Sequence, residues 1–192
     1  MARPKEYDID IVLDKALKVF WAKGYKNTSL ADLMDATGLQ KGSLYSAFKS
    51  KEDLFLKSLE KYGQDSRKSF HCEGCPIKYI QSFLKTLIDK SLATDGQHGC
   101  FILNSAIEFG SENSKPAKLS QALFKEVEKN FSNAIAIALK NKEWPEDIEP
   151  KAFQARLIGA IFAIREISKF KKDRVLLTEI ANGVLSDLNK RT

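Results

Sequence analysis

The residue types with the greatest capacity for binding lie together in one short polar segment, residues 40–46. Hydroxyl and ammonium groups donate hydrogen bonds to phosphate oxygens, and a glutamine side chain can pair with the edge of adenine. A glycine in the segment removes side-chain bulk where two backbones approach closely. These groups indicate contact with the phosphates and base edges of duplex DNA. The segment contributes Gln40, Lys41, Gly42, Ser43, Tyr45 and Ser46.

Two short helices joined by a tight turn are predicted to position this segment. The first helix begins near Thr28 or Ser29, because either hydroxyl can cap the backbone N–H groups of a helix start. It ends at Gly38, because glycine accepts the left-handed conformation that follows a helix end. The second helix covers about residues 39–47. Such a helix-turn-helix unit, here about residues 28–48, places its second helix in the major groove of DNA.

The charge around these two helices is moderately positive. Five lysines lie in residues 23–51, against Asp32 and Asp35, which leaves an excess of three positive charges. Lys49 and Lys51 directly follow the second helix, where they can contact phosphates. Thr28 and Ser29 can bring the amino terminus of the first helix onto a phosphate. The alternative for each residue taken singly is a solvated surface group or a helix cap.

Residues 8–56 resemble the amino-terminal domain of the TetR family of one-component transcriptional regulators. Four elements carry the resemblance. The first is Phe20 with Gly24 and Tyr25 four and five positions later, and the second is the helix start at Thr28 with Ser29. The third is the lysine–glycine–serine–leucine–tyrosine sequence at 41–45, and the fourth is the stretch from phenylalanine to leucine at 48–54. The remainder of the chain matches the family more loosely.

This resemblance implies a homodimer that binds a DNA operator and releases it when a small molecule occupies the carboxy-terminal domain. It implies that Tyr45 and Lys51 grip phosphates, while Gln40, Lys41 and Ser43 face the groove. Repression is the usual mode of control in the family. The implied mechanism is a population shift between two spacings of the DNA-binding domains, with the fourth helix as the lever.

Composition sets outer limits on the class of protein. The chain has 192 residues, 43% of them hydrophobic, and a formal net charge of +6, which suits a nucleic-acid partner. It has no run of 18 apolar residues and no signal peptide, so we expect a cytoplasmic protein with reduced cysteines. The sequence contains no phosphate-binding loop, dinucleotide fingerprint or Ser/His/Asp arrangement, which argues against an enzyme. A helical adaptor without DNA binding is the other alternative.

An all-α fold of about nine helices is predicted, with a DNA-binding domain at 5–65 and a ligand-binding and dimerisation domain at 70–192. Apolar residues recur at helical spacing, and proline and glycine sit at boundaries. On the first helix the apolar face is predicted to hold Ile11, Val12, Ala16, Val19 and Phe20. The other predicted helices cover about 51–67, 77–93, 100–109, 117–141, 150–170 and 174–188.

Residues 150–188 are predicted to form the interface of the homodimer. The run 157–164 is apolar nearly all round its helix, and such a helix needs cover on both sides. Gly159, Ala160 and Ala163 allow close approach, so two helices from each subunit would form a four-helix bundle. Simple burial in the core of one chain is the alternative.

Three cysteines admit several interpretations. Cys72 and Cys75, preceded by His71, form a lone CxxC, which is either an ordinary loop sequence or a redox pair at a helix start. A structural zinc site is not predicted, because there is no second pair of ligands. Cys100 is either a small buried hydrophobic residue or, by resemblance to thiol-sensing members of the family, a sensing group.

An effector cavity is predicted among helices five to eight, with no cofactor and no metal. Such cavities are mainly apolar and hold a few polar anchors, here Asn104, Glu108 and Arg165. The apolar walls favour a small apolar or aromatic effector, and plain core packing is the alternative for each phenylalanine. The predicted wall comprises Phe83, Leu87, Cys100, Phe101, Asn104, Ile107, Glu108, Phe124, Phe131, Phe162 and Arg165.

Overall fold

A computed structural model describes residues 7–68, 75–93 and 97–189 of the chain. These residues form nine α-helices and no strand, which confirms the predicted all-α fold. The helices are α1 (Ile9–Lys23), α2 (Leu30–Thr37), α3 (Lys41–Ala47), α4 (Lys51–Lys68), α5 (Pro76–Leu92), α6 (Phe101–Phe109), α7 (Lys115–Lys140), α8 (Pro150–Ile167) and α9 (Arg174–Asn189). No helix among the described residues has both the length and the apolar character needed to cross a membrane.

The ends of α2 follow from local capping, as predicted. The Ser29 hydroxyl accepts from the Asp32 backbone N–H at 3.1 Å, and the Asp32 carboxylate accepts from the Ser29 N–H at 2.8 Å. This reciprocal capping box satisfies two backbone donors at the helix start. Gly38 closes the helix in the left-handed conformation with φ 75°. Ser29, rather than Thr28, is therefore the cap.

The capping box makes one contribution to stability dependent on pH. Lys23, followed by the backbone N–H and hydroxyl of Ser29, holds the pKa of Asp32 at about 2, below its ordinary value of 3.8. A carboxyl whose pKa is lower in the folded state stabilises the fold above its unfolded pKa, and this stabilisation disappears as the pH falls through its folded pKa. We therefore expect the free energy of unfolding to lose this contribution between about pH 4 and pH 2.

Urea unfolding of the wild type and of Asp32→Asn at a series of pH values measures this contribution. The wild type should exceed the variant in stability at pH 6, and the difference should shrink below pH 4. An equal difference at pH 2.5 and at pH 6 would show that the Asp32 charge does not stabilise the helix start.

The described residues divide into two compact units. The first holds the residues up to Asp65 together with Phe101–Leu123, and the second holds the residues from Ser66 to Cys100 together with those from Phe124 onward. The division differs from the predicted boundary near residues 65–70, because α6 and the start of α7 belong to the first unit. The sequence showed no sign of this, since α6 is distant along the chain from α1–α3.

Aromatic rings form the core of the first unit. Phe55 of α4 is fully buried, and its ring centroid lies 5.2 Å from that of Phe20 and 5.1 Å from that of Tyr25. Phe101 and Phe109 of α6 pack on the same ring, with centroids at 5.6 and 5.5 Å. Edge-to-face and tilted contacts of this kind add to the free energy of apolar burial. They explain why α6 belongs with the first unit.

The predicted buried face of α1 was partly wrong. Ile11 is 55% exposed and Val19 is half-buried, whereas Leu17, which was not predicted, is buried. The buried stripe continues along Val12 and Phe20, and Ile11 lies on the neighbouring side of the helix. The apolar character of Ile11 was therefore not enough to show that its side of α1 is exposed while the side carrying Leu17 is buried.

The second unit has an aliphatic and aromatic core drawn from α5, the later part of α7, α8 and α9. Ile80, Leu84, Phe131, Leu157 and Ile164 are fully buried there. In the apolar run 157–164, Gly159 is exposed, although most of its neighbours are buried. Most of the run is thus core within one chain, and one strip of α8 faces outward.

Candidate nucleic-acid interface

The predicted recognition helix α3 rests on two buried side chains. Leu44 is 2% exposed and Phe48 is 1% exposed, and Leu33 of α2 is buried as well. Because α3 is only seven residues long, this packing holds it more firmly than its own backbone hydrogen bonds would. Leu39, which precedes α3, is half-buried.

The opposite side of α3 presents polar groups to solvent. Gln40, Lys41, Ser46 and Lys49 are exposed, and Tyr45 is 41% exposed. Ser43 is half-buried. The side chains are therefore placed as a DNA-facing surface requires, on a helix anchored from behind.

Gly42 has a different setting from the one predicted. Apart from its own helix, a Cβ atom added at Gly42 would meet no atom of the described residues within 4 Å. The missing side chain therefore leaves open space on the outer surface of α3.

Thr28 does not offer its side chain to a phosphate. It is 1% exposed, and its hydroxyl donates to the Gly24 carbonyl at 2.5 Å. The prediction that Thr28 contacts DNA is therefore corrected: Thr28 closes the turn between α1 and α2. Ser29 is exposed and its hydroxyl takes part in the capping box.

Lys51, which the family resemblance implies as a phosphate contact, is partly withdrawn from solvent. It is half-buried, and its Nζ lies 4.4 Å from the centroid of the Tyr25 ring. Burial lowers the pKa of Lys51, and the carboxylates of Glu108 and Asp32 oppose that shift. Burial also raises the pKa of Tyr25, with Glu52 and Glu108 acting in the same direction. The cation–π contact ties the start of α4 to the turn after α1.

Tyr7 is a contact of the recognition helix that the sequence analysis missed. Its hydroxyl donates to the Ser43 carbonyl at 3.3 Å, across 36 positions of sequence. Tyr7 directly precedes Asp8, the cap of α1, so the bond links the start of α1 to the middle of α3. An aromatic residue just before a helix cap was the only local signal available.

The residues predicted to line one effector cavity divide between the two units. Phe101, Asn104, Ile107 and Glu108 belong to the first unit, and the others belong to the second. Phe101 is 1% exposed within the aromatic core, and Ile107 is 68% exposed. Glu108 accepts hydrogen bonds from the backbone of Tyr25 and Lys26. Ile107 and Glu108 are therefore corrections: one faces solvent, and the other holds a turn.

In the second unit the predicted set forms two ring pairs. Phe83 and Phe131 make an edge-to-face contact at 5.1 Å, and Phe124 and Phe162 stack at 5.3 Å. Phe131 is fully buried, which makes it core. Phe83, Leu87, Phe124 and Phe162 lie half-buried at the edge of that core. These four remain candidates for contact with a ligand.

Arg165 serves the fold of the second unit. It is 8% exposed, and its guanidinium donates to the Gly99 carbonyl and to the Ser91 hydroxyl. These bonds join α8 to the end of α5 and to the segment before α6. Its predicted role as a ligand anchor is corrected, because these partners compensate the burial of its charge.

The cysteines differ in their settings. Cys100 is half-buried, and its N–H donates to the Glu166 carboxylate at 3.3 Å. Cys75 is half-buried at the cap position of α5. His71 and Cys72 lie outside the described residues. Within the described part of the chain, no group of three or more His, Cys, Asp or Glu residues is placed to hold a metal ion.

Two family models cover most of the chain. Residues 12–57 match the model for bacterial regulatory proteins of the tetR family. Residues 76–184 match the model described as the tetracyclin repressor-like C-terminal domain.

Related proteins are transcriptional regulators. The HTH-type transcriptional repressor ComR of Escherichia coli (strain K12) is 36% identical over 108 residues, which span 54% of this chain and 51% of ComR. The HTH-type transcriptional regulator YezE of Bacillus subtilis (strain 168) is 27% identical over 194 residues, covering 98% of this chain and 100% of YezE.

Solved structures share the fold. A TetR transcriptional regulator from Chloroflexus aurantiacus has a TM-score of 0.84 at 22% identity and covers 95% of this chain and 94% of its own. A cysteine mutant of the TetR family regulator CifR, complexed with 26-base-pair operator DNA, has a TM-score of 0.84 at 23% identity and covers 96% and 98%. The chain therefore belongs to the TetR family, whose members are non-enzymatic DNA-binding transcriptional regulators.

Proposed function

We propose that this regulator is a repressor that binds a pseudo-palindromic operator as a homodimer in the cytoplasm and leaves it when a small molecule binds. The observation that carries the proposal is the polar outer surface of α3, supported from behind by the buried side chains of Leu44 and Phe48. The related protein ComR is a repressor, and CifR has been solved on operator DNA. ComR supports repression as the direction of control, and CifR supports binding to operator DNA.

Two outward-facing glycines support dimerisation through α8 and α9. Gly159 and Gly183 are exposed, and, apart from its own helix, a Cβ added at either would meet no atom of the described part of the chain within 4 Å. A second subunit can approach closely at such positions, because no side chain intervenes. Two recognition helices related by twofold symmetry would then read half-sites about one DNA turn apart.

The test is a selection of the purified protein against random duplex DNA, followed by sequencing and titration of the enriched site. We expect a palindromic consensus. Lys41→Ala should weaken binding to that site about tenfold, because it removes one groove contact. Exposed Lys140 on α7 provides a matched control, and Lys140→Ala should leave binding unchanged.

Salt dependence separates phosphate contacts from base contacts. Lys49→Ala should weaken binding to all sequences alike and reduce the slope of log affinity against log salt by about one. If Lys41→Ala binds the enriched DNA site as tightly as the wild type does, the assignment of α3 as recognition helix is contradicted. An absence of any enriched sequence would favour the adaptor alternative.

The proposed effector is a small apolar or aromatic molecule bound by the second unit. Half-buried Phe83, Leu87, Phe124 and Phe162 offer apolar surface at the edge of its core. An effector releases DNA only if it binds the low-affinity conformation more tightly than the operator-binding one. It should therefore raise the melting temperature and lower operator affinity together. Cys100, half-buried one residue before α6, stays a prediction as a sensing thiol.

A further inference from the structure

The turn between α1 and α2 is held by a carboxylate from α6. The backbone N–H of Tyr25 donates to Oε2 of Glu108 at 2.8 Å, and that of Lys26 donates to Oε1 at 2.6 Å. Both oxygens of one carboxylate are thus used on two successive backbone donors. Hydrogen bonds to an ionised acceptor are roughly twice as strong as neutral ones.

The neighbouring residues are shaped around this contact. A Cβ atom at Gly24, whose φ is +79°, would lie 2.9 Å from Oε2 of Glu108. Lys26 extends its Nζ to Glu112 at 3.3 Å and to the Glu108 carbonyl at 3.4 Å. The Tyr25 ring lies 5.5 Å from the ring of Phe109, in the last position of α6. Glycine, lysine and tyrosine of the turn therefore all accommodate or contact α6.

The other side of the same turn determines where α2 begins. Thr28 is bound to the turn through its hydroxyl, which donates to Gly24, and through its N–H, which donates to the Tyr25 carbonyl at 3.3 Å. The next residue, Ser29, caps α2, and α2 packs against α3. A change in the turn would consequently shift the amino terminus of α2 and the recognition helix together.

We propose that Glu108 is a positioning residue for operator binding. Its carboxylate orients the α1–α2 turn and so sets the placement of α2 and α3 on the first unit, without touching DNA itself. The inference rests on the proposed operator binding and adds to it a residue outside the helix-turn-helix, 83 positions from Tyr25 in sequence.

Three variants test the inference on the site enriched by the wild-type protein. Glu108→Ala removes both hydrogen bonds and should weaken operator binding about tenfold. Glu108→Gln keeps one carbonyl oxygen on a side chain of the same length. Its operator affinity should therefore lie between those of Glu108→Ala and the wild type. Glu112→Ala is the matched control: it removes an ion pair between exposed Lys26 and a carboxylate in the loop after α6, and it should change affinity less than twofold.

Two further readouts separate positioning from general loss of structure. The active fraction of Glu108→Gln, measured by stoichiometric titration, should equal that of the wild type, although its melting temperature should fall because one of the two hydrogen bonds to the turn is lost. The salt slope of Glu108→Gln should also equal that of the wild type, because the substitution removes no lysine or arginine from the DNA-facing surface. A lower active fraction with unaltered affinity of the active molecules would overturn the inference in favour of a purely structural role.

The two proposals fail in different ways. Tight, selective binding by the wild type together with equally tight binding by Glu108→Ala overturns the positioning role alone. No selective binding by the wild type overturns operator binding, and the positioning role with it. Both proposals are supported if the operator affinity of Glu108→Gln lies between those of Glu108→Ala and the wild type and its salt slope is unchanged.

Discussion

Phe55→Ala should lower the free energy of unfolding of the first unit by about 3–5 kcal/mol, the usual cost of removing a buried phenylalanine. Phe55 is fully buried and joins four other rings, from α1, the following turn and α6. Removal of its ring takes apolar surface from all of these neighbours and leaves a cavity that rigid helices cannot close. Urea unfolding followed by circular dichroism measures the change.

An exposed phenylalanine provides the control for this prediction. Phe170 is 81% exposed, so Phe170→Ala should change the free energy of unfolding by no more than about 0.5 kcal/mol. Phe55→Ala should also lose operator binding at temperatures where the wild type binds, because α1–α3 rest on the same core. A loss in stability below about 1 kcal/mol would mean that Phe55 is not the centre of that core.

Gly159→Arg should convert the proposed dimer to a monomer and reduce operator affinity by about a hundredfold or more, since two linked half-sites bind far more tightly than one. The single chain has open space at Gly159, so arginine should leave the fold of the monomer intact. A second subunit packed closely on this strip of α8 would instead meet a long charged side chain. Light scattering and operator titration measure the two consequences.

The matched control places the same side chain on another exposed helix surface. Ala122 is exposed on α7, and Ala122→Arg should leave both mass and affinity unchanged. Gly183→Arg on α9 should reproduce the effect of Gly159→Arg, because Gly183 has the same open surroundings. A Gly159→Arg protein that remains dimeric with normal affinity would place the interface on another surface.

The helix-turn-helix could be predicted because its determinants are local. Ser29 caps α2 through a residue three positions away, and Gly38 closes it. Leu44 lies on α3, and Phe48, four positions later, caps the end of that helix. Interactions within a turn or two of helix depend on residue type and spacing alone. The same reasoning predicted the nine helices of the described residues to within a few positions at each end.

The surroundings of single side chains, polar or apolar, could not be predicted in this way. Thr28 has a capping residue's chemistry but is buried, and Arg165 suits a ligand anchor but binds the Gly99 carbonyl. Ile11 is apolar yet exposed, because a helix has room for apolar residues beside its buried stripe. Each outcome depends on which neighbour occupies the space around the side chain.

The sequence by itself therefore determined the helices, the two ends of α2 and the polar set on α3, since hydrogen bonds and packing between near neighbours specify them. Only the tertiary structure decided that Glu108 holds the α1–α2 turn and that Lys51 lies over Tyr25. The physical reason is distance along the chain. Tyr25 and Glu108 are 83 positions apart, and their contact exists only after α6 packs on the aromatic core around Phe55.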